Sequence, residues 1–336
     1  MEKDKKQKIG IVGAGAWGTA MAALQACNGH TVTIWGYEKE TVDSINRYRC
    51  NEVFLPHVTL PDNLSATQDL SQLVRSHSIL VMAIPSHVTR NIIEQIVKDV
   101  DSEHRVVILT KGMEQHSLCL MSDVYQDAFD SNPVIAVLSG PNFALEVGKG
   151  MPTAATLACA NERIGRELQQ ILSTSTFRLY HTSDMVGVQI GGTIKNVIAI
   201  AAGICDGMML GLNARAALIC RGLAEMKRMG TLLGGTIETF LGLSGVGDLI
   251  LTATGDLSRN YTLGVALGKG VCLDQYLSQK NSVAEGVKNA VSLHELAAKH
   301  GLEMPICEAV YDILYSDLAC KDAVFRLLER DLPICE

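Results

Sequence analysis

Short apolar runs rich in Ile and Val recur through the first half of the chain, each bounded by Gly, Pro, Ser or Asn. Lys8–Val12, Thr31–Trp35, Ser78–Ile84, Val106–Thr110, Ile135–Leu138 and Ala154–Ala158 have the length and composition of buried strands. Helical stretches separate them, which predicts βαβ units and a mostly parallel sheet with right-handed crossovers. After about Ser183 the strand pattern stops. Helical periodicity then covers Asp184–Ala202 and Ala214–Met229, followed by a Gly-rich turn into Asp248–Thr254, then Ser282–His300 and Ile306–Ser316. Asp184 and Ser282 suit N-caps, and Gly301 suits the position just past a helix end. The expected organisation is α/β: a sheet domain over 1–183, then an all-helical domain over 184–336, with the boundary within or beside a helix. No repeat or low-complexity tract interrupts either half.

The first strand runs straight into Gly13-Ala14-Gly15-Ala16-Trp17-Gly18, and an Ala-rich helical segment follows. In that context the first glycine permits a tight turn, the second lets backbone N–H groups approach a pyrophosphate, and the third lets helix and strand pack closely. The helix N-terminus adds donors and a positive dipole end for phosphates. This predicts a Rossmann-type dinucleotide site. No Gly-x-x-x-x-Gly-Lys-Ser/Thr occurs, which removes the P-loop reading. The slot where an acidic residue usually holds the adenosine ribose falls on Gly36, with Tyr37 and Glu38 behind it. Glu38 is either the ribose ligand or the N-terminal carboxylate of the next helix. The choice between NAD and NADP stays open.

Ligands of open parallel sheets lie beyond the carboxyl ends of the strands. Three strands end there in Pro85-Ser86-His87, Lys111-Gly112 and Ser139-Gly140-Pro141-Asn142, and Lys111 is the obvious contact for an anion. In the helical half, Gly191-Gly192 sits inside an apolar helix. Each glycine there costs about 1 kcal/mol against alanine, so a partner helix or the cofactor must approach that backbone. Lys195 follows among Val197, Ile198, Ala199 and Ile200. An apolar setting disfavours the charged form and lowers the lysine pKa toward the range of proton transfer; a lysine snorkelling from the helix face is the competing reading. Asp248, which shares a face with Thr252, either orients such a lysine or serves the helix N-terminus. Ser258-Arg259-Asn260 gathers a hydroxyl, a planar cation and an amide, as a phosphate monoester requires. Ser282 and Glu285 fit a capping box, which is compatible with a ligand contact by Glu285. Among nine histidines, His294-Glu295 starts like a zinc motif, but position 298 is Ala, so no metal is expected. His87 is the reserve proton-transfer group.

Bulk properties narrow the class. A chain of 336 residues with 47% hydrophobic residues accommodates two filled cores. A formal charge of −7 argues against nucleic acid or anionic membrane as the main partner. Met1 to Lys8 lacks the apolar stretch of a secretory signal, and the longest apolar run, Val197–Cys205, is too short to span a bilayer. Ten scattered cysteines without Cys-x-x-Cys read as reduced thiols, which points to the cytoplasm and removes any glycosylation meaning from Asn63 and Asn260. A homodimer is the expected assembly.

Taken together, Gly13-Ala14-Gly15-Ala16-Trp17-Gly18-Thr19-Ala20, Pro85-Ser86-His87, Thr110-Lys111-Gly112, Ser139-Gly140-Pro141, Gly191-Gly192-x-x-Lys195-Asn196-Val197-Ile198-Ala199, Gly245-x-Gly247-Asp248-Leu249 and Ser258-Arg259-Asn260 run through the chain in order. In these motifs the chain resembles the bacterial NAD(P)-dependent glycerol-3-phosphate dehydrogenases over essentially its whole length. The resemblance implies a helical domain like the C-terminal part of 6-phosphogluconate dehydrogenase. It implies hydride transfer between the nicotinamide and dihydroxyacetone phosphate, giving sn-glycerol 3-phosphate for phospholipid synthesis. By the same resemblance Lys195 is the general acid/base and Asp248 its orienting partner. Lys111, Gly140, Asn142, Lys195, Asp248, Ser258, Arg259 and Asn260 correspond to substrate contacts. Cofactor contacts correspond to Gly13, Gly15, Ala16, Trp17, Gly18, Tyr37, Lys111, Ala144, Arg259, Val283 and Glu285. Asn142 stands where several relatives carry Ser or Thr, and Tyr37 where His or Arg is common. Two rivals are weighed: another hydroxyacid or sugar-phosphate dehydrogenase of the 6-phosphogluconate dehydrogenase superfamily, and a non-catalytic dinucleotide sensor, which would have no use for Lys195, Asp248 and Arg259 together.

Overall fold

In a computed structural model, which describes residues 6–278 and 284–329, the Ile/Val runs of the first half pair into one eight-stranded sheet. Along the chain β1 (Lys8–Val12), α1 (Ala16–Cys27), β2 (Thr31–Trp35), α2 (Lys39–Tyr48), β3 (Leu64–Thr67), α3 (Leu70–Ser76) and β4 (Ile79–Met82) alternate. Then come α4 (Ser86–Ile96), β5 (Arg105–Ile108), α5 (Met121–Ala128), β6 (Val134–Ser139), α6 (Ala144–Gly148), β7 (Thr153–Ala158), α7 (Glu162–Leu172) and β8 (Phe177–Thr182). The strand order is β3-β2-β1-β4-β5-β6-β7-β8. Every neighbouring pair is parallel except β6 with β7. The order reverses beside β1, since β2 lies on one side of it and β4 on the other. That reversal opens the crevice in which dinucleotide folds bind their ligand.

Both faces of the sheet are covered, which is why its strands read as unbroken apolar runs. Ile9, Ile11 and Val107 face one core with Met21, Leu64 and Phe177. Val12, Val106 and Ile108 face the other, with Trp35, Ile93 and Tyr125. The sequence pattern did not mark β3 or β8. β3 buries only Leu64 fully, and β8, an edge strand, alternates Phe177 and Leu179 inward with Arg178 and Tyr180 outward.

His77 follows α3 and is buried, with Nδ1 2.7 Å from the Leu73 carbonyl oxygen. Burial pushes its imidazole below the ordinary value of 6.5; the bond to Leu73 opposes this and Lys8 adds a small lowering. Above that ordinary value the ring is neutral in folded and unfolded chains alike. As the pH falls, the unfolded chain takes up the proton first, so stability is lost. Unfolding midpoints are expected to drop between about pH 7.5 and about pH 5.5, and His77→Gln should shrink that drop. An identical slope in the variant would remove His77 as the cause.

The chain up to Glu114 and Cys119–Gln189 form one compact unit; Gln115–Leu118 and the chain from Ile190 onward form the second. The elements that follow β8 are α8 (Met185–Gly207), α9 (Leu212–Leu232), α10 (Ile237–Leu241), a π-helical turn (Leu243–Gly247), α11 (Asp248–Thr254), α12 (Arg259–Gly268), α13 (Leu273–Ser278), α14 (Glu285–His300), α15 (Pro305–Tyr315) and α16 (Cys320–Leu328). Asp184 caps α8 by accepting the Gly187 N–H at 2.7 Å, and Gly301 ends α14 with a left-handed φ of 61°. α14 starts at Glu285 with Ala284 as its N-cap, which puts Glu285 at the first helical position and not at the third, where a capping box places its carboxylate. Ser282 lies outside the described residues. α8 has 23 residues and a mean hydropathy of 1.4 in its most apolar window, enough by length and composition to cross a membrane; that window is wholly buried inside the protein.

Candidate active site

In the first unit, the glycine loop leaves β1 with Gly13 at φ +114°, where a Cβ would also lie 2.5 Å from the Ala83 carbonyl oxygen. Gly18 lies so close to the turn that a Cβ there would overlap the Gly13 carbonyl oxygen. Gly15 differs: it caps α1 in extended conformation, and nothing lies within 4 Å of its hypothetical Cβ. The protein thus fills the space around Gly13 and Gly18 but leaves room above Gly15, at the end of a 12-residue helix whose first N–H groups have no intrahelical acceptor. That is the shape and polarity a pyrophosphate needs. Asn51 secures the loop by donating to Ala14 O at 2.9 Å and Thr19 Oγ1 at 2.8 Å. Trp17 packs on Phe177 with ring centroids 6.5 Å apart.

Gly36 follows β2 and packs against Val42 and Ala14, leaving Tyr37 exposed beside it with its carbonyl accepting from Gln68. Glu38 is the N-cap of α2 but its side chain makes no capping bond. Ala144 opens α6, packed against the core that holds α1.

Beyond the carboxyl ends of the adjacent parallel strands β4, β5 and β6 lie His87, Lys111 and Gly140. His87 is exposed in the first turn of α4. Lys111 Nζ donates to Gly140 O at 3.3 Å and to Asn142 Oδ1 at 3.2 Å, so the structure gathers these three predicted residues into one cluster. Asn142 Nδ2 is buried with no hydrogen-bond partner among the described residues. A buried donor without an acceptor is costly, and a ligand oxygen would satisfy it.

The second unit holds the other cluster. Lys195 on α8 is 6% exposed and Asp248 on α11 only 1%. Lys195 Nζ donates to Asp248 Oδ1 at 3.0 Å and to Thr252 Oγ1 at 2.7 Å, and Thr252 Oγ1 donates to the Asp248 carbonyl oxygen at 2.7 Å. The snorkelling alternative is therefore overturned: the ammonium is buried and paired with an opposite charge. Asp248 does open α11, so both of its anticipated roles coexist. The glycine pair is explained in part by Gly191, where a Cβ would lie 2.5 Å from the Ser244 carbonyl oxygen. The partner is the π-helical turn that leads into Asp248.

Ser258 caps α12 by accepting the Tyr261 N–H at 3.2 Å, and Arg259 is exposed at the first helical position. Asn260 donates to Asn196 Oδ1 at 2.9 Å and accepts the Gly286 N–H at 2.9 Å. Glu285 is the half-buried first residue of α14. Val283 lies outside the described residues. Sequence reasoning missed Asn51, which no local signal marks, and the donor–acceptor role of Asn196, whose position one residue after Lys195 was the only hint.

Two family models, described as the N-terminus and the C-terminus of NAD-dependent glycerol-3-phosphate dehydrogenase, match residues 8–165 and 184–325. A protein of Citrifermentans bemidjiense named glycerol-3-phosphate dehydrogenase, NAD(P)+, is 45% identical, covering 97% of this chain and 98% of its own. A Geobacter sp. strain M21 protein of the same name is 46% identical at the same coverage. The crystal structure of glycerol-3-phosphate dehydrogenase from Coxiella burnetii superposes with a TM-score of 0.93 at 40% identity, covering 97% of this chain and 99% of that one.

Proposed function

The chain belongs to the NAD-dependent glycerol-3-phosphate dehydrogenase family, and from that premise we propose which of its groups carry the reaction. It is an NAD(P)-dependent oxidoreductase that interconverts dihydroxyacetone phosphate and glycerol 3-phosphate. The observation that carries the residue assignment is the buried Lys195–Asp248–Thr252 arrangement. When bound, the dinucleotide supplies or takes the hydride at C2 of the triose. As the ketone is reduced, negative charge develops on the C2 oxygen. The Lys195 ammonium stabilises that charge and delivers the proton; in the reverse direction it takes the proton back. Asp248 and Thr252 fix the direction of the amine.

Ser258, Arg259 and Asn260 are the proposed contacts of the substrate phosphate in the second unit, because a planar cation at a helix start suits a dianion. Lys111, Gly140 and the unsatisfied amide of Asn142 are the proposed substrate contacts in the first. Gly13, Gly15, Ala16, Trp17, Gly18, Tyr37, Lys111, Ala144, Arg259, Val283 and Glu285 are assigned to the dinucleotide. The open space over Gly15 supports that fit. The sn-glycerol 3-phosphate produced would feed phospholipid synthesis. A cytoplasmic homodimer is the proposed working form.

The test follows NADH and NADPH absorbance with dihydroxyacetone phosphate and with phosphate-free dihydroxyacetone. Remote phosphate binding positions the carbonyl, so the unphosphorylated ketone should lose at least about 100-fold in kcat/KM. Measured at saturating NAD(P)H, because Arg259 is also assigned to the dinucleotide, Arg259→Ala should lower kcat/KM for dihydroxyacetone phosphate about 100-fold while changing the rate with dihydroxyacetone little. Equal rates on the two ketones would overturn the phosphate assignment.

A further inference from the structure

Helix α12 lies along α8 in a fixed register. The Asn196–Asn260 amide pair is separated by 64 residues in the chain. The same offset recurs where Gly264 meets the Ile200 carbonyl oxygen and where Gly268 meets that of Ile204. The two helices therefore run parallel with their backbones touching. Glycine on both sides permits this approach. A Cβ on Gly203 would overlap Tyr261 O, one on Gly207 Val265 O and one on Gly264 Ile200 O, while one on Gly268 would lie 2.5 Å from Ile204 O.

Glycine notches repeat every four residues on each helix, so a slip of one turn would still leave one notch matched. Polar ties remove that freedom. At one end the Asn196–Asn260–Gly286 chain holds the start of α12. From further along α8, Asp206 Oδ2 accepts from both the Tyr261 hydroxyl and the Arg215 guanidinium. Tyr261 is also the residue whose N–H satisfies the Ser258 cap. Asp206 follows Lys195 by three helical turns, about 16 Å along α8 and on nearly the same face. One carboxylate on the lysine-bearing helix thus grips the third residue of the helix that begins with Arg259.

We propose that Asp206, with Tyr261 and Arg215, is a positioning group that fixes where the Ser258–Asn260 end of α12 stands relative to Lys195. The proposal rests on the assignment of Ser258, Arg259 and Asn260 to the substrate phosphate. Its chemistry is a charge-assisted latch: a carboxylate takes two strong donors from two other helices, and the loss of either donor lets α12 shift.

The test measures KM for dihydroxyacetone phosphate, KM for NAD(P)H, kcat and the unfolding midpoint in Tyr261→Phe, Asp206→Asn, Arg215→Ala and Arg215→Lys, with Arg259→Ala as the benchmark. Tyr261→Phe and Asp206→Asn should raise KM for the triose phosphate about tenfold, with kcat falling less than about threefold and KM for the cofactor rising less than about threefold, since Arg259 is one of many assigned dinucleotide contacts. Arg215→Lys should recover most of what Arg215→Ala loses. A lower midpoint with an unaltered triose phosphate KM, beside a raised KM in Arg259→Ala, means a purely structural tie and overturns the positioning role alone. An unaltered KM in Arg259→Ala removes the phosphate assignment and this proposal with it.

Discussion

Replacing Lys195 with alanine is expected to lower kcat by about 10²–10⁴-fold, the usual range for a positioned general acid or base. Affinity for NAD(P)H should change by less than about threefold, since the assigned dinucleotide contacts do not include Lys195. The substitution leaves Asp248 buried at 1% exposure without its cation, and stranding one member of a buried pair costs about 3–5 kcal/mol. Turnover must therefore be expressed per folded molecule, with the folded fraction read from circular dichroism. Asp248→Asn keeps the shape and removes the charge, so it separates the loss of the proton donor from the loss of its orientation. A folded Lys195→Ala enzyme that keeps turnover within about tenfold would remove the lysine from the chemistry.

Two alanines in the glycine loop should fail in opposite ways. Gly18→Ala places a Cβ on the Gly13 carbonyl oxygen and 3.1 Å from Ala83 Cβ. The helix must back away from the turn, at a cost of about 1–3 kcal/mol or more, and the unfolding midpoint should drop. Gly15→Ala meets nothing within 4 Å, and its φ of −69° suits any L-residue. The fold should stay intact, but the methyl fills the space left for the pyrophosphate, and NAD(P)H affinity should fall about 100-fold, or about 2.8 kcal/mol by the usual conversion of about 1.4 kcal/mol per tenfold. Trp17, two residues on, offers a fluorescence readout of binding. Normal cofactor affinity in Gly15→Ala would move the dinucleotide away from the loop.

Much of this architecture is legible in the sequence, and the exceptions have physical causes. Buried parallel strands carry a continuous apolar signal, so β1 and β2 were bounded correctly. β8 has the alternation of an edge strand, with Arg178 and Tyr180 facing out, and a period-two scan would have found it. The antiparallel pairing of β7 with β6 was invisible, since an apolar run carries no sign of its direction. Gly191 announced a close approach without naming its partner, because the Ser244 carbonyl is a backbone group contributed from far along the chain. The Lys195–Asp248–Thr252 meeting was half legible: the spacing of Asp248 and Thr252 put them on one face, but only the packing of α8 on α11 brings the amine to them. The tie from Asn51 to the glycine loop had no precursor signal at all.

The constant offset between α8 and α12 bears on how this protein tolerates insertions and deletions. A single residue added inside a helix turns everything beyond it by 100° and advances it by 1.5 Å. Added between Asn196 and Ile204, it would take one wall of the glycine seam out of step with the other, while the connection between α9 and α10 could change length without touching that seam. The two paired segments should therefore keep their glycines and their matched lengths across descendants of this chain. Any length change in one would need the same change in its mate.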